Sequence, residues 1–130
     1  RISGPLLDRF DLRIEVPPVA FADLDLPDPS EGSQEVALRV SVAREIQSAR
    51  YNKTAGVSLN ADAEGELLNQ VAELQPDSRS LLRRAAERFG LTARGYHRVL
   101  RVARTIADLA GEEDIQRPHV AEALNFRLTL

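Results

Sequence analysis

The stretch that decides the fold of this chain covers residues 91–109 and reads LTARGYHRVLRVARTIADL. Apolar residues recur in it every three or four positions, which predicts one helix with a single buried face. Those residues are Tyr96, Val99, Leu100, Ala103, Ile106, Ala107 and Ala110. Thr92 is a good N-cap and Gly111 suits the end of the helix. Arg94 falls in the first turn, where the helix dipole already places partial positive charge, so an arginine there favours a bound anion.

The residues around this helix predict an all-α fold, a small bundle of about five helices over residues 34–130. We expect helices from about Ser33 to Asn52, from a cap at Asn60 or Asp62 through Leu74, from Pro76 to Gly90, at 92–110, and after Pro118. The expected inward-facing residues of the first and third are Val36, Val40, Ala43, Ile46, Ala49 or Arg50, and Leu81, Leu82, Ala85 and Phe89.

The N-terminal third has a different pattern. Phe10, Leu12, Ile14 and Val16 alternate with charged residues, which predicts a strand with one apolar face. Residues 17–33 are rich in proline and acidic residues and favour an extended linker. A single short strand needs partners, so we expect residues 1–16 to be the remnant of a larger domain. We also expect residues 1–32 to be mobile or to pair only incidentally.

Composition excludes several classes of protein. The apolar fraction is 43% and the net charge is -3, which favours a folded domain and not a generally basic nucleic-acid binder. The absence of cysteine is consistent with a cytoplasmic protein, and no apolar run is long enough to cross a membrane. His97 and His119 lie in different predicted helices without an acidic cluster, so we expect no metal site.

Two motifs resemble those of a known family. Residues 91–109 resemble the sensor-2 helix of the AAA+ ATPases related to magnesium chelatase and the minichromosome-maintenance helicases, with greatest likeness to the ComM-type branch. Residues 3–12, SGPLLDRFDL, resemble the Leu-Leu-x-Arg-Phe signature of the same ATPases. The resemblance implies that Arg94 reaches the γ-phosphate of ATP, with Arg98 as a weaker candidate, and that Arg9 is an arginine finger acting in trans on a neighbouring subunit.

Both arginines also have simpler interpretations. Arg94 could be a solvated surface residue, and Arg9 could pair with the adjacent Asp8 or Asp11. The chain has no Gly-x-x-x-x-Gly-Lys-Ser/Thr loop. By the resemblance, an upstream AAA+ core would supply that loop and hold ATP and Mg²⁺. We therefore expect the chain alone to be non-catalytic and its parent to form a homo-oligomeric, hexameric ring.

Three functions remain open at this point. The ComM-type resemblance implies ATP-driven DNA processing, such as branch migration. A subunit of true magnesium chelatase, which inserts Mg²⁺ into protoporphyrin, is the second; Phe10-Asp11-Leu12 departs from the Phe-Gly-Leu expected there. The third is a free-standing DNA-binding domain, since eight arginines lie between Arg79 and Arg104 against the single acid Glu87.

Overall fold

The computed structural model describes residues 3–27 and 29–128, and within them the fold is all-α. The helices are α1 (Gly4–Leu7), α2 (Ser33–Tyr51), α3 (Gly65–Val71), α4 (Pro76–Phe89), α5 (Ala93–Leu109) and α6 (Arg117–Leu128). Two short 3₁₀ turns lie at Phe21–Asp25 and Asn60–Asp62. Some residues of the predicted segments lie outside the described residues. They include Arg1 and Leu130, at the ends of the predicted segments, and Asp28 of the predicted linker.

Local signals placed the ends of α4 and α5 well, but the expected cap of α3 at Asn60 or Asp62 is wrong, because these residues form a separate 3₁₀ turn and α3 begins at Gly65. Pro76 opens α4, and Gly90 ends it in the left-handed region at φ 65°, which a residue without a Cβ adopts at little cost. The Thr92 side chain caps α5 as expected. The predicted all-α bundle is confirmed; the helix over residues 4–7 was not expected.

The core forms where α5 packs against α2, α3, α6 and the turn at Asn60–Asp62, while α4 packs against α6. Leu68, Leu82, Val99, Ile115 and Val120 are its largest fully buried apolar side chains. Burial of apolar area of this kind is the main favourable contribution to folding. The core therefore surrounds α5 and holds its N-terminus at a defined place on the surface.

Some expected core positions are wrong. Val36 and Val40 are 39% and 42% exposed, because residues 33–42 of α2 are exposed throughout and α2 first becomes buried at Ala43. Phe89 is 54% exposed at the end of α4, and its ring lies beside the guanidinium of Arg88. Apolar periodicity marked these residues, but no described neighbour covers them.

The expected strand over residues 10–16 is also absent, since the described residues contain no strand. A strand forms only when a second one satisfies its backbone groups. Here a single backbone hydrogen bond of 2.8 Å, from Arg13 N to Phe126 O, joins this segment to α6.

A buried carboxylate joins α2 and the 3₁₀ turn to α5. Asp108 accepts two hydrogen bonds from Arg50, at 2.8 and 2.7 Å, and one of 2.9 Å from the Asn60 side chain. Arg104 forms a further ion pair at 3.2 Å. Asp108 is 2% exposed, so these partners replace the water that its charge would otherwise need.

These partners also determine the protonation of Asp108. Burial alone would raise the pKa of its carboxyl group. The hydrogen bonds from Arg50 and Asn60, with the charges of Arg50 and Arg104, outweigh burial and hold the pKa below its ordinary value.

We expect Asp108→Asn to lower the free energy of unfolding by about 3 to 5 kcal/mol, because it leaves buried guanidinium groups without a counter-charge. Urea unfolding at pH 7 measures this. Asp114→Asn, at an exposed position, should change stability by less than about 0.5 kcal/mol. Equal stability of the two variants would contradict the structural role of Asp108.

Acid should remove the stabilisation that the ionised carboxylate of Asp108 provides. Because the pKa of Asp108 is lowered by folding, its stabilisation is complete above the unfolded value of about 3.9 and is lost as the pH falls through the lower folded value. The difference in unfolding free energy between the unmodified chain and Asp108→Asn should therefore shrink below about pH 4. Urea titrations from pH 6 to pH 2.5 would measure it, and a constant difference would contradict the assignment.

Candidate functional site

The N-terminus of α5 carries the predicted sensor arginine. The Thr92 hydroxyl accepts a hydrogen bond of 2.9 Å from Gly95 N and so satisfies one of the free amide groups that begin the helix. Arg94, in the first turn, is exposed. Its side chain is therefore available at the positive end of a long helix.

Arg9 reaches the same place from the other end of the chain. It lies in the turn that follows α1 and is exposed. Arg9 and Arg94 both line an open cleft of about 640 Å³. The residues that line this cleft are Arg9, Glu64, Gly65, Arg94, His97, Arg98 and Arg101. The structure thus brings together all three arginines that were expected to meet nucleotide.

The four arginines of the cleft differ in how they are bound. Arg98 forms an ion pair of 2.6 Å with Asp11, and Arg101 Nε donates to Ala63 O at 2.8 Å. The guanidinium groups of Arg9 and Arg94 make no hydrogen bond or ion pair to any residue in 3–27 or 29–128. Two cations without partners in the described part of the chain therefore face the cleft.

The charge of the cleft favours an anion. Among the described residues Glu64 is the one acid that lines the cleft, and Asp11 pairs with Arg98, so no described ion pair balances the charges of Arg9 and Arg94. The planar guanidinium donates pairs of hydrogen bonds that match the oxygens of phosphate or carboxylate. The cleft can therefore bind a phosphate-bearing ligand through Arg9 and Arg94.

The acids next to Arg9 are engaged elsewhere. Asp8 Oδ2 accepts from the Thr92 hydroxyl at 2.9 Å and Asp8 Oδ1 pairs with Arg127, while Asp11 pairs with Arg98. The simpler interpretation, in which Arg9 pairs with Asp8 or Asp11, is therefore not what the structure contains. Sequence reasoning missed Asp8 and Arg127, because no local pattern marks partners that are 119 residues apart.

Arg127 is more buried than Asp8, Asp11 and Arg98, and is only 3% exposed. Burial, with the positive charges of Arg13 and Arg98, holds the pKa of Arg127 below its ordinary value, while the Asp8 carboxylate opposes that shift. The negative charge of Asp8 therefore favours the charged form of the Arg127 guanidinium, which is almost fully removed from water.

The eight arginines between residues 79 and 104 do not form one surface. Arg104 is 5% exposed and binds Asp108 and the carbonyl groups of Glu112 and Glu113. Arg94, Arg98 and Arg101 line the cleft, and the other four belong to α4. Arg104 is therefore not available to a basic surface of the kind that binds nucleic acid.

Residues 3–27 and 29–128 lack two kinds of feature. They hold no group of three histidine, cysteine or acidic side chains arranged to bind a metal ion. None of their helices is long and apolar enough to span a membrane.

The comparisons with known proteins agree on one family. A family model described as magnesium chelatase, subunit ChlI C-terminal, matches residues 30–127. The chain is 43% identical over 128 residues to the competence protein ComM of Haemophilus influenzae, covering 98% of this chain and 24% of that protein. It is 39% identical over 129 residues to the uncharacterized protein YifB of Escherichia coli, with the same coverage.

A mycobacterial relative shows the same relation. The uncharacterized protein Rv2897c of Mycobacterium tuberculosis is 39% identical over 131 residues, which cover 99% of this chain and 25% of that protein. The chain thus spans about a quarter of the length of these curated relatives.

We expect inorganic tripolyphosphate to bind the cleft weakly, with a dissociation constant of about 1 mM, since exposed charge-assisted contacts are screened by water and salt. Amide shifts of residues 93–97 and the Nε–H signals of Arg9 and Arg94 would follow the titration. Arg94→Ala should weaken binding several-fold and Arg83→Ala, on α4, should not. Shifts confined to the α4 arginines would contradict the site.

Proposed function

The chain belongs to the magnesium chelatase subunit ChlI C-terminal family, and we propose that it is the lid and sensor-2 module of a magnesium-chelatase-related AAA+ ATPase. The observation that supports this most directly is the cleft that Arg9 and Arg94 share. Two arginines in one cleft that pair with no described residue are suited to the negative charge of a nucleoside triphosphate.

In this proposal Arg94 contacts the γ-phosphate of ATP. Arg9 stabilises the charge that develops on the transferred phosphoryl group, as arginine fingers do. Arg98 has a smaller part, because its guanidinium is already paired with Asp11. The remainder of the longer protein would hold ATP and Mg²⁺.

The shared cleft has a consequence for assembly. An arginine finger acts on the nucleotide of a neighbouring subunit. Since Arg94 lines the same cleft as Arg9, both would reach that neighbour's nucleotide. Each chain would then complete the site of the next one in a homo-oligomeric ring, for which a hexamer is our proposal.

For the work that hydrolysis drives, we favour DNA processing in the cytoplasm, such as branch migration. One relative carries the name competence protein, and this chain has Asp11 where true magnesium chelatase is expected to have glycine. Asp11 binds Arg98, a contact that glycine could not make. This departure from the chelatase pattern, together with the name of that relative, is why we favour DNA processing over insertion of Mg²⁺ into protoporphyrin.

We expect Arg94→Ala in the full-length protein to reduce ATP hydrolysis about tenfold or more, because it removes a charge-assisted contact of about 1.5 to 3 kcal/mol. The fold should survive, with stability within about 0.5 kcal/mol, since alanine suits an exposed first turn. Hydrolysis assays and thermal unfolding of both proteins would test this, with Arg83→Ala as the control. Normal hydrolysis by Arg94→Ala would show that Arg94 is only a surface residue.

A further inference from the structure

We propose that Asp8 is a positioning residue, which holds the backbone of Arg9 at a set distance from Arg94 through a clasp formed by Asp8, Thr92, Gly95 and Arg127. The inference rests on the proposed function, in which Arg9 and Arg94 meet the same nucleotide. Asp8 does not line the cleft, so its effect would be indirect.

The first part of the clasp is the cap of α5. The Thr92 hydroxyl donates to the Asp8 carboxylate, at 2.9 Å to Oδ2 and 3.1 Å to Oδ1, and accepts from Gly95 N at 2.9 Å. One hydroxyl group therefore begins the helix that carries Arg94 and holds the residue that precedes Arg9. The Thr92 hydroxyl oxygen is thus hydrogen-bonded to Asp8, the neighbour of Arg9, and to Gly95, the neighbour of Arg94.

The second part is Arg127 of α6. Besides its ion pair with the Asp8 carboxylate, it donates to Asp8 O at 3.0 Å and to Phe10 O at 2.5 Å. These two carbonyl groups flank Arg9 along the chain. One buried guanidinium thus fixes the backbone on both sides of Arg9, whose side chain makes no hydrogen bond to residues 3–27 or 29–128.

The third part is the space left by Gly95. A Cβ added there would lie 3.1 Å from Arg127 Nη2 and 3.3 Å from Asp8 Oδ1, both tighter than ordinary contact. Gly95 is buried inside α5, where glycine is a poor helix former. Its presence allows the segment that carries Arg9 to approach the helix this closely.

Asp8 is also distinct from the other acids of this segment. Its carboxylate sits against the positive end of α5 and against Arg127, so it does not neutralise Arg94. Movement of α5 or α6 would carry Arg9 along with it. The clasp therefore keeps the backbone of Arg9 and the N-terminus of α5 together.

The test uses Asp8→Ala and the milder Asp8→Asn, which keeps the shape and removes the charge. Asp25→Ala is the matched control, because Asp25 is an exposed acid of the linker region. Heteronuclear NOE and amide exchange of residues 6–13 in this chain report the clasp directly. ATP hydrolysis by the full-length protein, alone and combined with Arg9→Ala, reports its effect on the site.

We expect both Asp8 variants to loosen residues 6–13 while the bundle keeps its exchange protection. We also expect kcat to fall about tenfold or more with KM changed less than threefold, since only the transition-state contact of Arg9 is lost. Adding Arg9→Ala to Asp8→Ala should cause no further loss, because both changes remove one contact.

The inference is overturned if the Asp8 variants hydrolyse ATP normally, or if the Asp8 and Arg9 losses multiply. If Asp8→Ala does not fold, the same comparisons on Asp8→Asn decide. Full activity of Arg9→Ala itself would overturn the proposed function and this inference with it. If Arg9→Ala lowers ATP hydrolysis and neither Asp8 variant does, the clasp alone is overturned.

Discussion

The buried carboxylate of Asp108 is the constraint on which the arrangement of this bundle depends. Apolar burial supplies most of the driving force for folding, but it has no direction and does not by itself set the geometry of the helices. A carboxylate that is 2% exposed must be met by donors in fixed positions. Arg50 from α2 and Asn60 from the 3₁₀ turn meet it, so both elements are held in one orientation against α5.

That constraint reaches the candidate site through the length of α5. Arg94 and Asp108 lie at opposite ends of the helix, about 21 Å apart along its axis at 1.5 Å for each residue. A helix packed along one face moves as a unit, so the orientation that Asp108 sets at one end also places Arg94 at the other. At that end Thr92 holds Asp8, and Arg9 is brought to the cleft through it.

Local chemistry made much of this fold predictable, and long-range contacts made the rest unpredictable. Thr92, Pro76 and Gly90 act within a few residues, so the ends of α4 and α5 could be read from the sequence. The pairing of Asp8 with Thr92 joins residues 84 apart, and its partners carry no motif. The burial of Arg104 was not predicted either. Its partner Asp108 lies only four residues further along α5, but an ion pair at this spacing forms equally well on an exposed helix face.

Periodicity explains how one helix can contain arginines with such different roles. Arg94, Arg98 and Arg101 are spaced by four and three residues and so share a face of α5, which becomes one wall of the cleft. Arg104 is turned by about 80° from Arg94 at 100° for each residue and enters the core. Asp108 balances its charge there, whereas no described residue pairs with Arg94. Arg104 stabilises the bundle through its carboxylate and carbonyl partners, whereas the main proposed nucleotide contacts, Arg9 and Arg94, have no such partner among residues 3–27 and 29–128.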